Sequence, residues 1–186
     1  MGARVRPEGI RGRTKRKEAE GLRPSMARLE NPPENPCFGC GPRHARGLRL
    51  EFEATVAPDG SRELRTTFSP QADEIGWPGL LHSGLHFTIL YEISYWTALT
   101  FGGHLMVSTG PATYESSRLP RVGRPYRARA RLDHRVDGAV VVRATTETSE
   151  GKPCGSLEST WRSVHRAEIE KSGLELPAYL LAELEP

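Results

Sequence analysis

One stretch, residues 76–103, is apolar over about five helical turns and limits the folds that the chain can adopt. Leu81, Leu85 and Ile89 recur at the spacing of one helix face, and the opposite face is hardly more polar because it carries Phe87. A helix that is apolar on nearly all sides has to be enclosed by protein or by lipid.

Glu92 is the single formal charge between Leu80 and Gly103. In a membrane-spanning helix this carboxylate would lie near the bilayer centre, at a cost of about 2.5–3.5 kcal/mol. We therefore predict the central helix of a water-soluble protein and no membrane partner. A buried carboxylate has to be hydrogen-bonded, protonated or chemically active. Glu92 is accordingly either a structural residue bonded to a neighbour or a candidate for catalysis.

Charge is unevenly distributed along the 186 residues, whose net charge is +3. Residues 1–30 hold nine Lys or Arg and four Glu, few apolar residues and no aromatic residue. We predict a disordered basic tail over residues 1–30, one domain over residues 31–166, and a C-terminal extension over residues 167–186 that forms a short helix. A tail without aromatic residues to stack on bases does not lead us to expect a nucleic-acid partner.

Alternating apolar and polar residues predict antiparallel strands before and after the helix. The predicted strands cover residues 47–57, 63–68, 105–117, 126–136, 139–148 and 154–165. Asp137-Gly138 is a strong hairpin signal, and Gly110-Pro111 predicts an irregularity in its strand. A helix apolar on all sides needs a sheet curled around it, so the predicted fold class is α+β. Because one sheet covers only part of such a helix, we expect a second copy of the chain to cover the rest.

The three cysteines are too few for a disulfide framework, and the N-terminus lacks the apolar core of a secretory signal, so we expect a cytoplasmic protein. Cys37 and Cys40 have a spacing that zinc ligands use, with His44 nearby. A structural zinc site needs four ligands, and Cys154 is far along the chain. We therefore predict no metal and no cofactor, and we interpret the pair as thiols of a tight Gly-Pro turn. A thioredoxin-like pair is disfavoured because no strand–helix unit surrounds it.

Three segments of the chain resemble the hotdog-fold thioesterases of the PaaI-like group. They are residues 35–52, with Cys-Phe-Gly-Cys-Gly; residues 76–92, with Gly-Trp-Pro-Gly-Leu-Leu-His-Ser-Gly; and residues 118–123, a basic loop. The resemblance covers residues 35–164. It implies a hotdog fold, in which an antiparallel sheet wraps around one long helix, and a homodimer or a tetramer. It also implies hydrolysis of an acyl-CoA or aryl-acyl-CoA thioester.

The family's helix usually starts with His-Gly-Gly, which maps onto His82, Ser83 and Gly84 of this chain. A helix N-terminus offers backbone N–H groups and a positive dipole end, which can polarise a thioester carbonyl. The resemblance implies that Gly84 donates to the oxyanion and that His82 orients the substrate. Ser83 and Trp77 are expected to contact the substrate, although an aromatic residue such as Trp77 more often belongs to a core.

The family's catalytic carboxylate usually lies nine residues after the histidine, where this chain has Tyr91. Glu92 follows, rotated by about 100° around the helix. Tyr91 is a poor base, since its ordinary pKa is about 10, but it can donate a hydrogen bond to a carbonyl. We therefore predict Glu92 as the general base, with Tyr91 as a donor. The alternatives are a hotdog protein that binds an acyl ligand without hydrolysis, or one that dehydrates or isomerises a thioester.

Arg118, Arg121 and Arg124 lie in a loop that is close to the coenzyme A nucleotide in relatives. Guanidinium groups suit phosphates, so we expect these arginines to bind the coenzyme. A solvated basic loop is the alternative. His86 and His104 have no partner at metal-ligand spacing, and we expect each to be structural or solvent-facing.

Overall fold

The computed structural model describes residues 27–184, so most of the predicted basic tail lies outside the described residues. The elements in chain order are β1 (Ala27–Arg28), β2 (Glu53–Val56), β3 (Arg62–Phe68), β4 (Ile75–Trp77), β5 (Leu80–Leu81), α1 (Ser83–Gly102), β6 (Met106–Ser116), β7 (Tyr126–Val136), β8 (Ala139–Thr148), β9 (Pro153–Ser163), α2 (Arg166–Ser172) and α3 (Ala178–Leu181). The long helix α1 lies where the apolar stretch predicts it.

A seven-stranded antiparallel sheet encloses one side of α1. Its strand order is β1-β2-β3-β7-β8-β9-β6, and β4 and β5 form a separate hairpin. The helix contacts β3 and all four strands that follow it in the chain. The predicted α+β architecture, a sheet wrapped around one long helix, is therefore confirmed.

The buried face of α1 carries large apolar residues together with polar ones. Leu90 and Ile93 are fully buried, and so are Ser94 and Thr97. Ser94 and Thr97 donate their hydroxyls to the carbonyls of Leu90 and Ile93 at 2.7 Å, so neither hydroxyl is unsatisfied. None of the helices within residues 27–184 has the length and apolar character needed to cross a bilayer.

The hairpin signals located the later strands to within about two residues. Asp137 and Gly138 both have positive φ, as a tight two-residue hairpin turn requires. The pairing of β6 with β9 shifts register between Thr109 and Thr113, around the predicted Gly110-Pro111 irregularity. The predictions made from turn chemistry were therefore confirmed.

The first predicted strand, residues 47–57, was wrong over its first half. Leu48 and Leu50 donate their N–H groups to Phe38 and Gly39, so this part pairs with the cysteine turn rather than with a strand of the sheet. Arg49 between them has a φ of 49°, a left-handed conformation that interrupts an extended strand. The segment still buries Leu50, which explains why its sequence alternates.

The C-terminal extension forms two short helices, α2 and α3, where the sequence predicted one within residues 167–186. Gly173 ends α2 in a left-handed conformation, and Pro177 lies directly before α3. Proline fixes the backbone at a helix start, so the two residues together separate the helices. Leu184 packs with Leu105 and Val164, which attaches the extension to the domain.

Candidate functional site

A side chain caps the N-terminus of α1, so one of its first backbone N–H groups is already bonded. His82 is the N-cap residue, and its Nδ1 accepts a hydrogen bond from the Gly84 N–H at 3.0 Å. A neutral imidazole whose Nδ1 accepts carries its proton on Nε2, so the exposed ring of His82 presents an N–H donor. The backbone N–H groups of Ser83 and Leu85 have no hydrogen-bond partner within residues 27–184. Together these donors can hold a negatively charged oxygen.

The basic loop between β6 and β7 is fastened to the hairpin that leads into α1. The Leu81 N–H donates to the Pro120 carbonyl at 2.8 Å, and the Val122 N–H donates to the Gly79 carbonyl at 3.1 Å. Arg121 forms an isolated bridge with Leu80 in the same place. These bonds join residues 120–122 to residues 79–81, so the loop lies beside the residues that precede α1.

All three predicted phosphate-binding side chains, Arg118, Arg121 and Arg124, are exposed. Lys152 is the main cause of a lowered pKa at Glu150, and Arg124 and Arg118 lower it further. Arg118 and Arg124 are therefore close enough to act on the charge of Glu150, and the backbone of Arg121 lies beside Leu80.

Trp77 lies on β4 with 71% of its surface exposed, so the alternative that places it in the core is wrong. Its indole is available for contact with a ligand or with another chain. Phe87 differs, because it is half-buried and stacks on Tyr91 at 5.7 Å between ring centroids.

Tyr91 points from α1 towards β6, an edge strand of the sheet. Its hydroxyl is 2.7 Å from the Ser108 Oγ, and its ring lies 5.0 Å from the ring of Trp161. The residue at the family's acid position is thus part of an aromatic cluster beside the sheet edge, with a hydroxyl that can donate or accept.

Glu92 points instead towards the cysteine turn. Its two carboxylate oxygens lie 3.4 and 3.5 Å from the Sγ of Cys37. Burial is the main cause that raises the pKa of Glu92 to about 7, and the charge on Cys37 adds to it. Gly39 permits this approach, because a Cβ there would lie 2.2 Å from the Glu92 Cγ.

Tyr91 and Glu92 line the same open cavity, whose volume is about 1460 Å³. Its walls come from residues 28–35, the middle of α1, the beginning of β6 and residues 179–183. The helix start does not line this cavity, and seven residues, or about 10 Å of helix, separate Gly84 from Tyr91. Within one chain, the donors of the helix start and the carboxylate of Glu92 therefore lie in two separate places.

Comparison with known proteins gives matches among solved structures. No protein-family model matches the chain, and no curated protein matches it. A thioesterase superfamily protein is 20% identical to this chain, with a TM-score of 0.59. The match covers 68% of this chain and 60% of the other protein, which is less than two thirds of that protein's length. The PaaI protein of the E. coli phenylacetic acid degradation operon is 14% identical with a TM-score of 0.55, over 63% and 81%.

A Streptococcus mutans protein bound to acetyl-CoA is 17% identical with a TM-score of 0.50, over 54% of this chain and 79% of that one. Matches at this level of identity establish architecture. The chain has the hotdog fold of these proteins, as the sequence predicted.

Proposed function

We propose that this hotdog-fold chain hydrolyses the thioester of an acyl- or aryl-acyl-CoA. One observation carries the proposal: the loop with the three arginines is hydrogen-bonded to the hairpin before α1, whose N-terminus presents N–H donors. Such a helix start suits a carbonyl oxygen that becomes negative, and guanidinium groups suit the coenzyme's phosphates. The acetyl-CoA bound to the Streptococcus mutans relative supports a ligand of this class.

In the proposed reaction, the helix start holds the thioester oxygen, with His82 Nε2–H and the open backbone N–H groups as donors. Water attacks the carbonyl carbon, the carbon–sulfur bond breaks, and the coenzyme leaves as its thiol with the proton that the water gives up. The water is activated in the part of the cavity that Glu92 lines, and Tyr91 can donate a hydrogen bond to the substrate.

Two copies of the chain are needed for this geometry, because Glu92 and the helix start lie apart within one copy. We infer a homodimer formed along β6, which has no partner strand on its outer side within residues 27–184. Tyr91 lies beside that edge through its bond to Ser108. The three cysteines are thiols in the structure, which suits the reducing cytoplasm.

Tyr91 favours a second candidate function, a hotdog protein that binds an acyl ligand without hydrolysing it. Tyr91 stands at the position where the family carries an acid, and its hydroxyl is bonded to Ser108. Wild type and Tyr91→Asp should be assayed together for thiol release across a panel of acyl- and aryl-acyl-CoAs. Release by the wild type supports the hydrolase; release by Tyr91→Asp alone supports the binding protein. Release by neither overturns hydrolysis, and product masses then identify dehydration or isomerisation.

Replacing Arg121 by alanine is expected to weaken coenzyme A binding by about tenfold, because a charge-assisted bond to phosphate is lost at the helix start. Calorimetric titration with coenzyme A measures this change. Arg46→Ala is the matched control, since Arg46 is an exposed arginine outside the loop. Equal affinities for Arg121→Ala and wild type would show that the loop does not bind the coenzyme.

A further inference from the structure

Cys37, Cys40 and Glu92 form a cluster of metal-ligating atoms that lies away from the helix start. The two sulfurs and a carboxylate oxygen all lie within 4.8 Å of one another. Cys40 is buried, and Cys37 is half-buried and lines the cavity with Glu92. The sequence predicted no metal, because the cysteine pair has no further ligand close to it in the chain. The fold supplies one from 55 residues away in the chain.

The spacing of these atoms fits zinc. Sulfur lies about 2.3 Å and carboxylate oxygen about 2.0–2.2 Å from a tetrahedral zinc ion, so ligand atoms lie about 3.5–3.8 Å apart. The separations of 3.4 and 3.5 Å between the Cys37 Sγ and the Glu92 oxygens are close to this range. The Cys40 Sγ lies within 4.8 Å of the other ligand atoms, so a side-chain movement of about 1 Å would bring it into this range.

The cysteine turn is held in place by a side chain outside the three candidate ligands. Asn35 contacts both cysteines. The Asn35 Nδ2 lies 3.5 Å from the Cys40 Sγ, while its Oδ1 accepts from the Cys37 N–H. Such outer hydrogen bonds orient metal ligands and stabilise their charged forms.

A redox-active dithiol fits the surroundings of the turn less well. Thioredoxin-like pairs are found with strand–helix units, whereas residues 41–52 continue from Cys40 without a helix. The carboxylate in contact with Cys37 adds a third ligand that disulfide chemistry does not need. Gly39 keeps this contact open, because any side chain there would meet Glu92.

We propose that Cys37, Cys40 and Glu92 bind a zinc-class divalent cation, with the fourth coordination position directed at the cavity that Tyr91 lines. Two thiolates favour a borderline-soft ion over magnesium or calcium. Three protein ligands and one open position are the pattern of zinc sites that hold a water. Metal binding does not depend on the proposed hydrolysis. Where both hold, Glu92 acts as a ligand and the activated water occupies the fourth position.

The test uses the full chain purified in a reducing buffer that contains no chelator. Elemental mass spectrometry should find about one zinc per chain. The metal-depleted protein should bind Co²⁺ with thiolate-to-cobalt charge-transfer absorption. Cys37→Ser, Cys40→Ser and Glu92→Gln should each weaken Zn²⁺ binding by more than about 100-fold, since even outer hydrogen-bond partners of metal ligands are worth about 10–100-fold.

Two further variants make the result specific. Gly39→Ala retains all three ligands but displaces the Glu92 side chain, so it should also weaken Zn²⁺ binding. Cys154→Ser removes the buried cysteine outside the cluster and should bind Zn²⁺ like the wild type. A wild type that binds neither Zn²⁺ nor Co²⁺, or equal weakening by Cys154→Ser and Cys37→Ser, would overturn the proposal. Thiol release from acyl-CoA is measured separately, so loss of one proposal leaves the other standing.

Discussion

Replacement of Glu92 by glutamine is expected to lower the kcat of thioester hydrolysis by about 10²–10⁴-fold, the range for loss of a group that activates water. Glutamine keeps the size of the side chain but can neither take a proton nor ligate a metal as a carboxylate does. Coenzyme A affinity should stay near its wild-type value, because the arginine loop lies at the helix start and not on the cavity. Steady-state kinetics with the best substrate of the panel measure kcat, and calorimetric titration measures the coenzyme A affinity.

Glu51→Gln is the matched control, since Glu51 is an exposed carboxylate that lines the same cavity. Unchanged turnover in Glu92→Gln would contradict a catalytic role for the carboxylate. Cys37→Ser distinguishes the two ways in which Glu92 could act. If turnover falls together with Zn²⁺ binding, the activated water is held by the metal; if turnover persists, Glu92 takes the proton directly.

Local signals account for the parts of the fold that could be predicted. The all-round apolarity of residues 81–101 describes a helix that packs against its own sheet, and Gly103 ends that helix in a left-handed conformation at φ 100°. The positive φ of Asp137 and Gly138 explains why that pair located a hairpin. Each signal acts within a few residues, so one sequence is enough to read it.

Long-range contacts account for what could not be predicted. The partner of Glu92 is Cys37, 55 residues earlier, and no spacing rule connects a helix residue to a turn in another part of the chain. The sequence alone does not show why residue 39 is a glycine, because the reason is the nearby Glu92 side chain, which leaves no room for a Cβ. The same limit explains residues 47–52, whose alternation records burial against the core while their hydrogen bonds go to the cysteine turn.

The residues of the candidate site follow from the resemblance, and only part of their arrangement could be predicted. The resemblance led to His82, Gly84 and the arginine loop, and the hairpin contacts bring that loop to the helix start. Sequence did not reveal that the His82 ring itself occupies the Gly84 N–H, because a histidine cap depends on a rotamer and not on residue type. The donors that remain are its Nε2–H and the N–H groups of Ser83 and Leu85.

Stability of the fold is expected to fall by about 3 kcal/mol between about pH 6.5 and pH 4 because of one histidine. His86 is fully buried, and this burial lowers its pKa from an ordinary 6.5 to about 4. The ring nitrogens lie 2.7 Å from the Thr146 Oγ1 and 2.9 Å from the Tyr114 hydroxyl, which satisfies the neutral ring. No carboxylate within residues 27–184 contacts it to stabilise a charge.

The unfolded chain binds a proton at His86 below about pH 6.5, whereas the folded chain does so only near pH 4. The stabilisation is therefore complete above the unfolded pKa and disappears as the pH falls through the folded one. Urea unfolding from about pH 7 to about pH 4 measures the free energy of unfolding. His86→Gln should lose this part of the pH dependence whatever its stability at neutral pH. His104→Gln, at a half-buried histidine, should keep it, and identical slopes for His86→Gln and wild type would contradict the assignment.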